Sequence, residues 1–142
     1  MEEILFELTD YTDTPHQSHI EWLTEHDTKK FNEHLILAGQ EPMHDGWLRE
    51  IYQQDLIRYC LLYHNGLPVA RGAVEPYSKQ AWEAADIRTA KTYRGKGFAK
   101  EILRFLSSYI LEQDKTATWR TEEDNKIMQT IILSIGYKEK TT

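Results

Sequence analysis

Hydrophobic and polar positions first alternate at Ile4 to Leu8 (I-L-F-E-L), the two-residue period of a half-buried strand. Past the turn-forming D-T-P-H-Q-S-H, from about Ser18, the residues Ile20, Leu23, Phe31 and Leu35 follow a helical pattern interrupted at His26–Thr28. Gly39 to Gly46 breaks the pattern, and Trp47 to Gln54 reads as a second short helix. Leu56 to Tyr63 is then a β-type run, His64-Asn65-Gly66 a hairpin signal, and Pro68 to Val74 the returning strand. Glu75-Pro76-Tyr77-Ser78 turns the chain into a third strand, Trp82 to Ala90. A glycine-rich stretch follows, and behind it a helix from about Gly97 to Gln113. Its Ile102, Leu103, Phe105, Leu106, Tyr109 and Ile110 form one broad apolar face. Thr116 to Arg120 is a short strand, Asp124 or Asn125 caps a last helix to about Ile135, and Gly136 ends it. Tyr137 onward has length for one more strand. The predicted order is β, α, α, β, β, β, α, β, α, β: an α/β (α+β) fold in a single domain over residues 1–142.

Composition narrows the class. Hydrophobic residues make up 40% and charged residues 28%, an ordinary globular balance, so a packed core is expected. No apolar run has membrane-spanning length, and the start M-E-E-I-L is acidic, unlike a signal peptide; a cytoplasmic protein without membrane association is expected. Cys60 is the sole cysteine, which excludes an internal disulfide, and its apolar neighbours predict a buried, inert thiol. The net charge of −6 argues against nucleic-acid binding, which needs a basic face. One segment departs from that balance. Lys91, Arg94, Lys96 and Lys100 lie within ten residues that hold no acid.

Those cations surround T-Y-R-G-K-G-F-A-K, where a strand runs through a glycine-rich turn into a helix. The free amides of a helix N-terminus, and the dipole behind them, bind phosphate. Gly95 and Gly97 remove the Cβ atoms that would block close approach of the backbone. A flexible turn with solvated cations is the other reading of the same residues. The stretch is neither a P-loop nor a dinucleotide fingerprint.

Arg94-Gly95-Lys96-Gly97-Phe98-Ala99 resembles the [QR]-x-x-G-x-[GA] signature of the GNAT superfamily, the acetyl-CoA-dependent N-acetyltransferases. Asn125 lies eleven residues before Gly136-Tyr137, as in that family's second motif, and the resemblance covers roughly Leu56 to Tyr137. It implies a mixed, mostly antiparallel sheet, splayed beside the strand before the glycine loop and flanked by about four helices. Acetyl-CoA would lie in that wedge. Loop amides from Arg94, Gly95, Lys96, Gly97, Phe98 and Ala99 would hold its pyrophosphate, and Ile87, Arg88 and Thr89 its pantetheine. The Ile87 N–H would polarise the thioester carbonyl. Asn125 would reach the pantetheine arm, or serve as a plain helix cap.

Acetyl transfer to an amine also needs a base. Glu83 stands eleven residues before Arg94, the offset of the catalytic glutamate in the family's histone-acetylating branch, and is the preferred base; a solvent-facing strand carboxylate is the alternative. Asp86 is three residues on, so in a regular strand it faces the other side unless a bulge intervenes. Two departures from the family stand out. Ile132 occupies the position of the tyrosine that protonates the departing thiolate, and Tyr93, Tyr109, Tyr137 and Ser134 are not at its offset. The C-terminus is also too short for the family's two closing strands, which leaves an edge open or covered by a second subunit in a homodimer. His16, His19, His26 and His34 lack the companion ligands of a zinc site and are expected as exposed cap and helix residues. Trp22, Trp47, Tyr52, Trp82 and Trp119 are expected in the core rather than in an acceptor pocket. The resulting expectation is an N-acetyltransferase acting on a small cationic or amino-acid-like primary amine. The alternatives are a non-catalytic acyl-CoA-binding sensor and a phosphate-binding domain for another ligand.

Overall fold

The computed structural model describes residues 3–10 and 19–140. Its elements are β1 (Glu3–Leu8), β2 (His19–Trp22), α1 (Thr28–Leu37), α2 (Trp47–Gln54), β3 (Arg58–His64), β4 (Leu67–Glu75), β5 (Ala81–Thr89), α3 (Phe98–Glu112), β6 (Thr116–Glu122), α4 (Lys126–Ile135) and β7 (Lys138–Glu139). A short 3₁₀ turn, Lys91–Tyr93, joins β5 to the glycine loop. The strands form a single seven-stranded sheet in the order β2-β3-β4-β5-β6-β1-β7. All its pairings are antiparallel except β5 with β6.

The central strands read as nearly continuous apolar runs because both faces of the sheet are covered. Along β3, Tyr59 and Leu61 join a cluster with Phe31, Leu35 and Leu48, under α1 and α2. Cys60 and Leu62 join the opposite cluster, with Ile102, Leu103, Leu106 and Ile110 of α3. Each of those four α3 side chains is fully buried, and such burial stabilises by about 1.5–3 kcal/mol apiece. The packing of α3 is close enough to dictate a residue beneath it. A Cβ on Gly72 of β4 would overlap Ile102 Cγ2 and reach 3.0 Å from Leu106 Cδ1, so only glycine fits. The hairpin after β3 turns through Asn65 and Gly66, both at positive φ (50° and 78°), as a two-residue hairpin turn requires.

Three expectations are corrected. The stretch from Ser18 is not helical where it is described: His19–Trp22 is an edge strand paired with β3. The apparent helical pattern joined side chains from two elements on two faces. Ile20 packs toward α3, whereas Leu23, Phe31 and Leu35 belong to the other cluster. His34 is not an exposed helix residue but fully buried. The sheet edge expected to be open is closed within the chain. β1 lies antiparallel on β6, from Glu3↔Glu122 to Leu8↔Ala117, and β7 adds outside β1. A partner subunit is therefore not needed to cover β6. Among the described residues no helix is long and apolar enough to cross a membrane.

Candidate active site

β5 and β6 run parallel but pair only from Ala81↔Thr116 to Glu83↔Thr118. Beyond Glu83 they part, and the later half of β5 is left without a neighbour on that side. A cavity of about 700 Å³ opens in this wedge. Ile87, Arg88 and Thr89 line it from β5; Arg94, Gly95, Gly97, Phe98, Ala99 and Lys100 from the loop and the start of α3. Asn125, Ile127, Met128 and Ile131 form the wall from α4. Of the residues read as a cofactor cradle, Lys96 alone lies elsewhere, in a separate hollow beside His64 and Glu101.

The loop geometry follows from its glycines. Gly95 and Gly97 have φ of 80° and 87°, and a Cβ at either position would meet nothing within 4 Å. The space in front of them is open, while the backbone conformation is one that other residues rarely adopt. No side chain caps α3. Its first-turn amides are uncapped, with Arg94 and Lys100 lining the cavity beside them and Glu101 in the same turn, an arrangement able to hold an anion. Arg94 also donates from Nε to the Thr89 carbonyl at 3.0 Å, tying the loop to the end of β5. α4 differs, since Asn125 Oδ1 accepts from the Met128 amide at 3.2 Å. Asn125 is thus a cap and a cavity residue at once, and its amide nitrogen is the group left for a ligand.

The lining supplies a test of whether the cradle fits a cofactor laid along β5. Uncapped amides and the cations Arg94 and Lys100 suit a polar, anionic ligand; Ile127, Met128 and Ile131 suit an aliphatic stretch of it. Thr89 lines the cavity too, but its Oγ1, which has no hydrogen-bond partner, is shut off from the open space.

Glu83 does not line that cavity. It stands at the vertex where β5 and β6 separate, on the face away from α3, ion-paired to Arg120 and accepting from Thr118 Oγ1 at 3.4 Å. Burial pushes its carboxyl above the usual range, outweighing the attraction of Arg120. Asp86 was expected on the opposite face, and here a bulge intervenes. Asp86 and Ile87 together stand against the single Gly72, between the pairs Ala73↔Ala85 and Arg71↔Arg88. The extra residue turns Asp86 to the same face as Glu83, where it meets Arg71 and Tyr59.

The remaining candidates settle into the core. Ile132 is fully buried and leaves no acid at its position. Tyr137 is buried against Ser107, its hydroxyl 2.7 Å from Ser107 Oγ. Trp22 and Trp82 stack on Tyr109, Trp47 on Phe31, and Trp119 is buried, whereas Tyr52 hydrogen-bonds the Leu23 carbonyl. The Cys60 thiol is buried and pushed up to about 12 by desolvation, the inert state expected of it. Among the described residues no group of three or more His, Cys, Asp and Glu is placed to hold a metal ion; His16 lies outside them. Sequence reasoning missed Arg71, whose signal was a lone charge inside the apolar strand P-V-A-R-G-A-V.

A splayed sheet with a glycine loop and helix at the mouth of the wedge matches the fold of a class of acetyltransferases. The family model described as Acetyltransferase (GNAT) family matches residues 11–136, and the chain belongs to that family. Among solved structures it is similar to a GNAT acetyltransferase from Colwellia psychrerythraea, with 18% identity and a TM-score of 0.73 over 96% of this chain. It is also similar to a GNAT-family putative acetyltransferase from Novosphingobium aromaticivorans DSM 12444, with 15% identity and a TM-score of 0.72 over 97% of this chain. Both are longer, and the chain spans 52% and 60% of their respective lengths. AAC(6′)-Iy, solved with the bisubstrate analogue CoA-S-monomethyl-acetylneamine, matches at 14% identity and a TM-score of 0.68 over 89% of this chain and 95% of its own. At such identities the likeness shows the fold. No curated protein matches the chain.

Proposed function

We propose that this protein transfers an acetyl group from acetyl-CoA to the primary amine of a small cationic or amino-acid-like molecule. The observation that carries this reading is the wedge: a free β5 edge, an uncapped α3 N-terminus and the cations Arg94 and Lys100 all line one cavity. When bound, acetyl-CoA supplies an acetyl thioester, whose C–S bond breaks as the amine forms its bond to the carbonyl carbon. The amides of Gly95 to Ala99, with Arg94 and Lys100, hold the pyrophosphate. The edge of β5 from Ile87 to Thr89 carries the pantetheine, and Asn125 reaches it from α4. The Ile87 N–H would donate to the carbonyl oxygen of the bound thioester and stabilise negative charge on it. Glu83 takes the proton of the incoming ammonium, its raised pKa making it a better base than an exposed glutamate. The thiolate needs no dedicated acid, because a thiol's ordinary pKa of about 8.5 already makes it an adequate leaving group.

The relative solved with a CoA bisubstrate analogue supports this use of the fold. The test is free-thiol release from acetyl-CoA with a panel of amines, beside calorimetric titration of CoA and of ATP. Turnover with at least one amine, and binding of CoA but not ATP, is expected. Equal binding of CoA and ATP would sink the cofactor assignment. A second reading, a sensor that holds acyl-CoA without chemistry, is favoured by the buried Ile132 at the acid position. It predicts CoA binding with no thiol release from any amine.

A further inference from the structure

We propose that Asp86 is a positioning residue: clamped by Arg71 and Tyr59, it locks the β5 bulge so that the Ile87 amide is held ready for the thioester carbonyl. The proposal rests on the acetyl-transfer reading above and concerns a group that does not touch the cofactor cavity.

The bulge is held by a residue that does not favour its own conformation. Asp86 has φ of 46°, the left-handed region, and it is not glycine. Left-handed backbone is costly for a residue with a Cβ and persists only where its surroundings over-determine it. Here they do. Arg71 Nε donates to Asp86 Oδ2 and Arg71 Nη2 to Oδ1, both at 3.1 Å, a two-pronged fork. Tyr59 donates its hydroxyl to Oδ2 at 3.1 Å. The carboxylate is therefore tied to β3 and β4 at once.

The clamp is itself braced. Arg71 is 6% exposed, and its third nitrogen donates to Gln40 Oε1 at 2.7 Å and stands 3.3 Å from His34 Nε2. His34 Nδ1 donates to the Pro68 carbonyl at 2.8 Å, which leaves Nε2 as the acceptor and the ring neutral beside the guanidinium. Every nitrogen of the fork has a partner, so Arg71 cannot swing away without stranding a buried charge. On the other face Gly72, pressed under α3, prevents the opposing strand from sliding to restore a regular register. Neither Asp86 nor Ile87 has a register partner on β4. The Asp86 carboxylate therefore holds the chain where the ladder register lapses.

The experiment uses Asp86→Gly in the full chain. Glycine accepts the left-handed backbone without strain but has no carboxylate for Arg71 and Tyr59, and unchanged exchange at Leu62 checks that the variant is folded. In the cofactor-free protein, hydrogen exchange of the Ile87 amide by NMR is expected to speed up at least tenfold, with Leu62 on β3 unchanged. In thiol-release kinetics with the best amine of the panel, kcat is expected to fall about 10²-fold, the effect of misplacing a reacting group by an ångström. KM for acetyl-CoA should move less than about threefold. Tyr59→Phe, which leaves the Arg71 fork in place, should fall between wild type and Asp86→Gly in both readouts. An Asp86→Gly protein whose Ile87 exchange matches wild type overturns the clamp. If wild type releases no thiol with any amine, the acetyl-transfer reading fails, and Ile87 exchange still decides whether Asp86 holds the bulge.

Discussion

Two ionisable side chains give this protein a pH signature. Glu83 is pushed above the ordinary glutamate range by burial despite its Arg120 partner. The proposed base must be ionised, so kcat/KM should rise with pH along a limb whose midpoint lies above that range. Glu83→Gln should abolish the limb and lower kcat by about 10²–10⁴-fold, with CoA affinity unchanged by calorimetry. His34 acts on stability. Burial, with Arg71 alongside, moves its pKa from 6.5 to about 4. The unfolded chain therefore binds a proton that the folded one refuses between those values. The stabilisation is full above pH 6.5 and is lost as pH falls toward 4, about 3 kcal/mol in all. Urea unfolding from pH 7 to 4 should show that loss, and His34→Gln should flatten its slope. The catalytic candidates were legible as residues because they sit at fixed offsets from the glycine loop. The Arg71, Asp86, Tyr59 and His34 network was not, because its members come from four separate elements. The unmatched arginine in P-V-A-R-G-A-V was the one local sign that a buried partner had to exist.

At the scale of elements, the loop and α3 act as one unit. Gly97 precedes the helix with φ of 87° and no side chain to cap it. Gly97→Ala should weaken CoA binding by about tenfold, since a left-handed alanine costs roughly 1–2 kcal/mol and relaxes by moving the amides. Calorimetry with CoA measures this; unchanged affinity would remove the loop from the cradle. The elements of the meander were readable because each is local: a hairpin turn with Asn65 and Gly66, two apolar runs, a glycine loop. β2 was misread because four residues are too few for a period to assert itself, and Ile20 and Leu23 mimic a helical step. The bulge in β5 could not be read either. It is set by Gly72 on another strand and by a helix pressing on that glycine.

For the whole molecule, the order of strands matters more than their number. The resemblance to the family led the sequence reading to expect a sheet edge open or covered by a second subunit. The remedy was invisible, because β1 comes from the other end of the chain and no local pattern announces where a strand will pair. Removing residues 1–8 should strip Phe6 and Leu8 from the core and bare the β6 edge. Light scattering on a sizing column should then show more self-association than the intact chain does.

The seam between β1 and β6 also sets a timetable. β1 leaves the ribosome long before its partner β6, since Leu8 must meet Ala117. Until then a nascent chain carries Phe6 and Leu8 unsheltered, and closing so long a loop makes this pairing a slow event in folding. The meander and α3 can assemble beforehand from neighbours in the chain, so this seam closes after the rest of the sheet is in place.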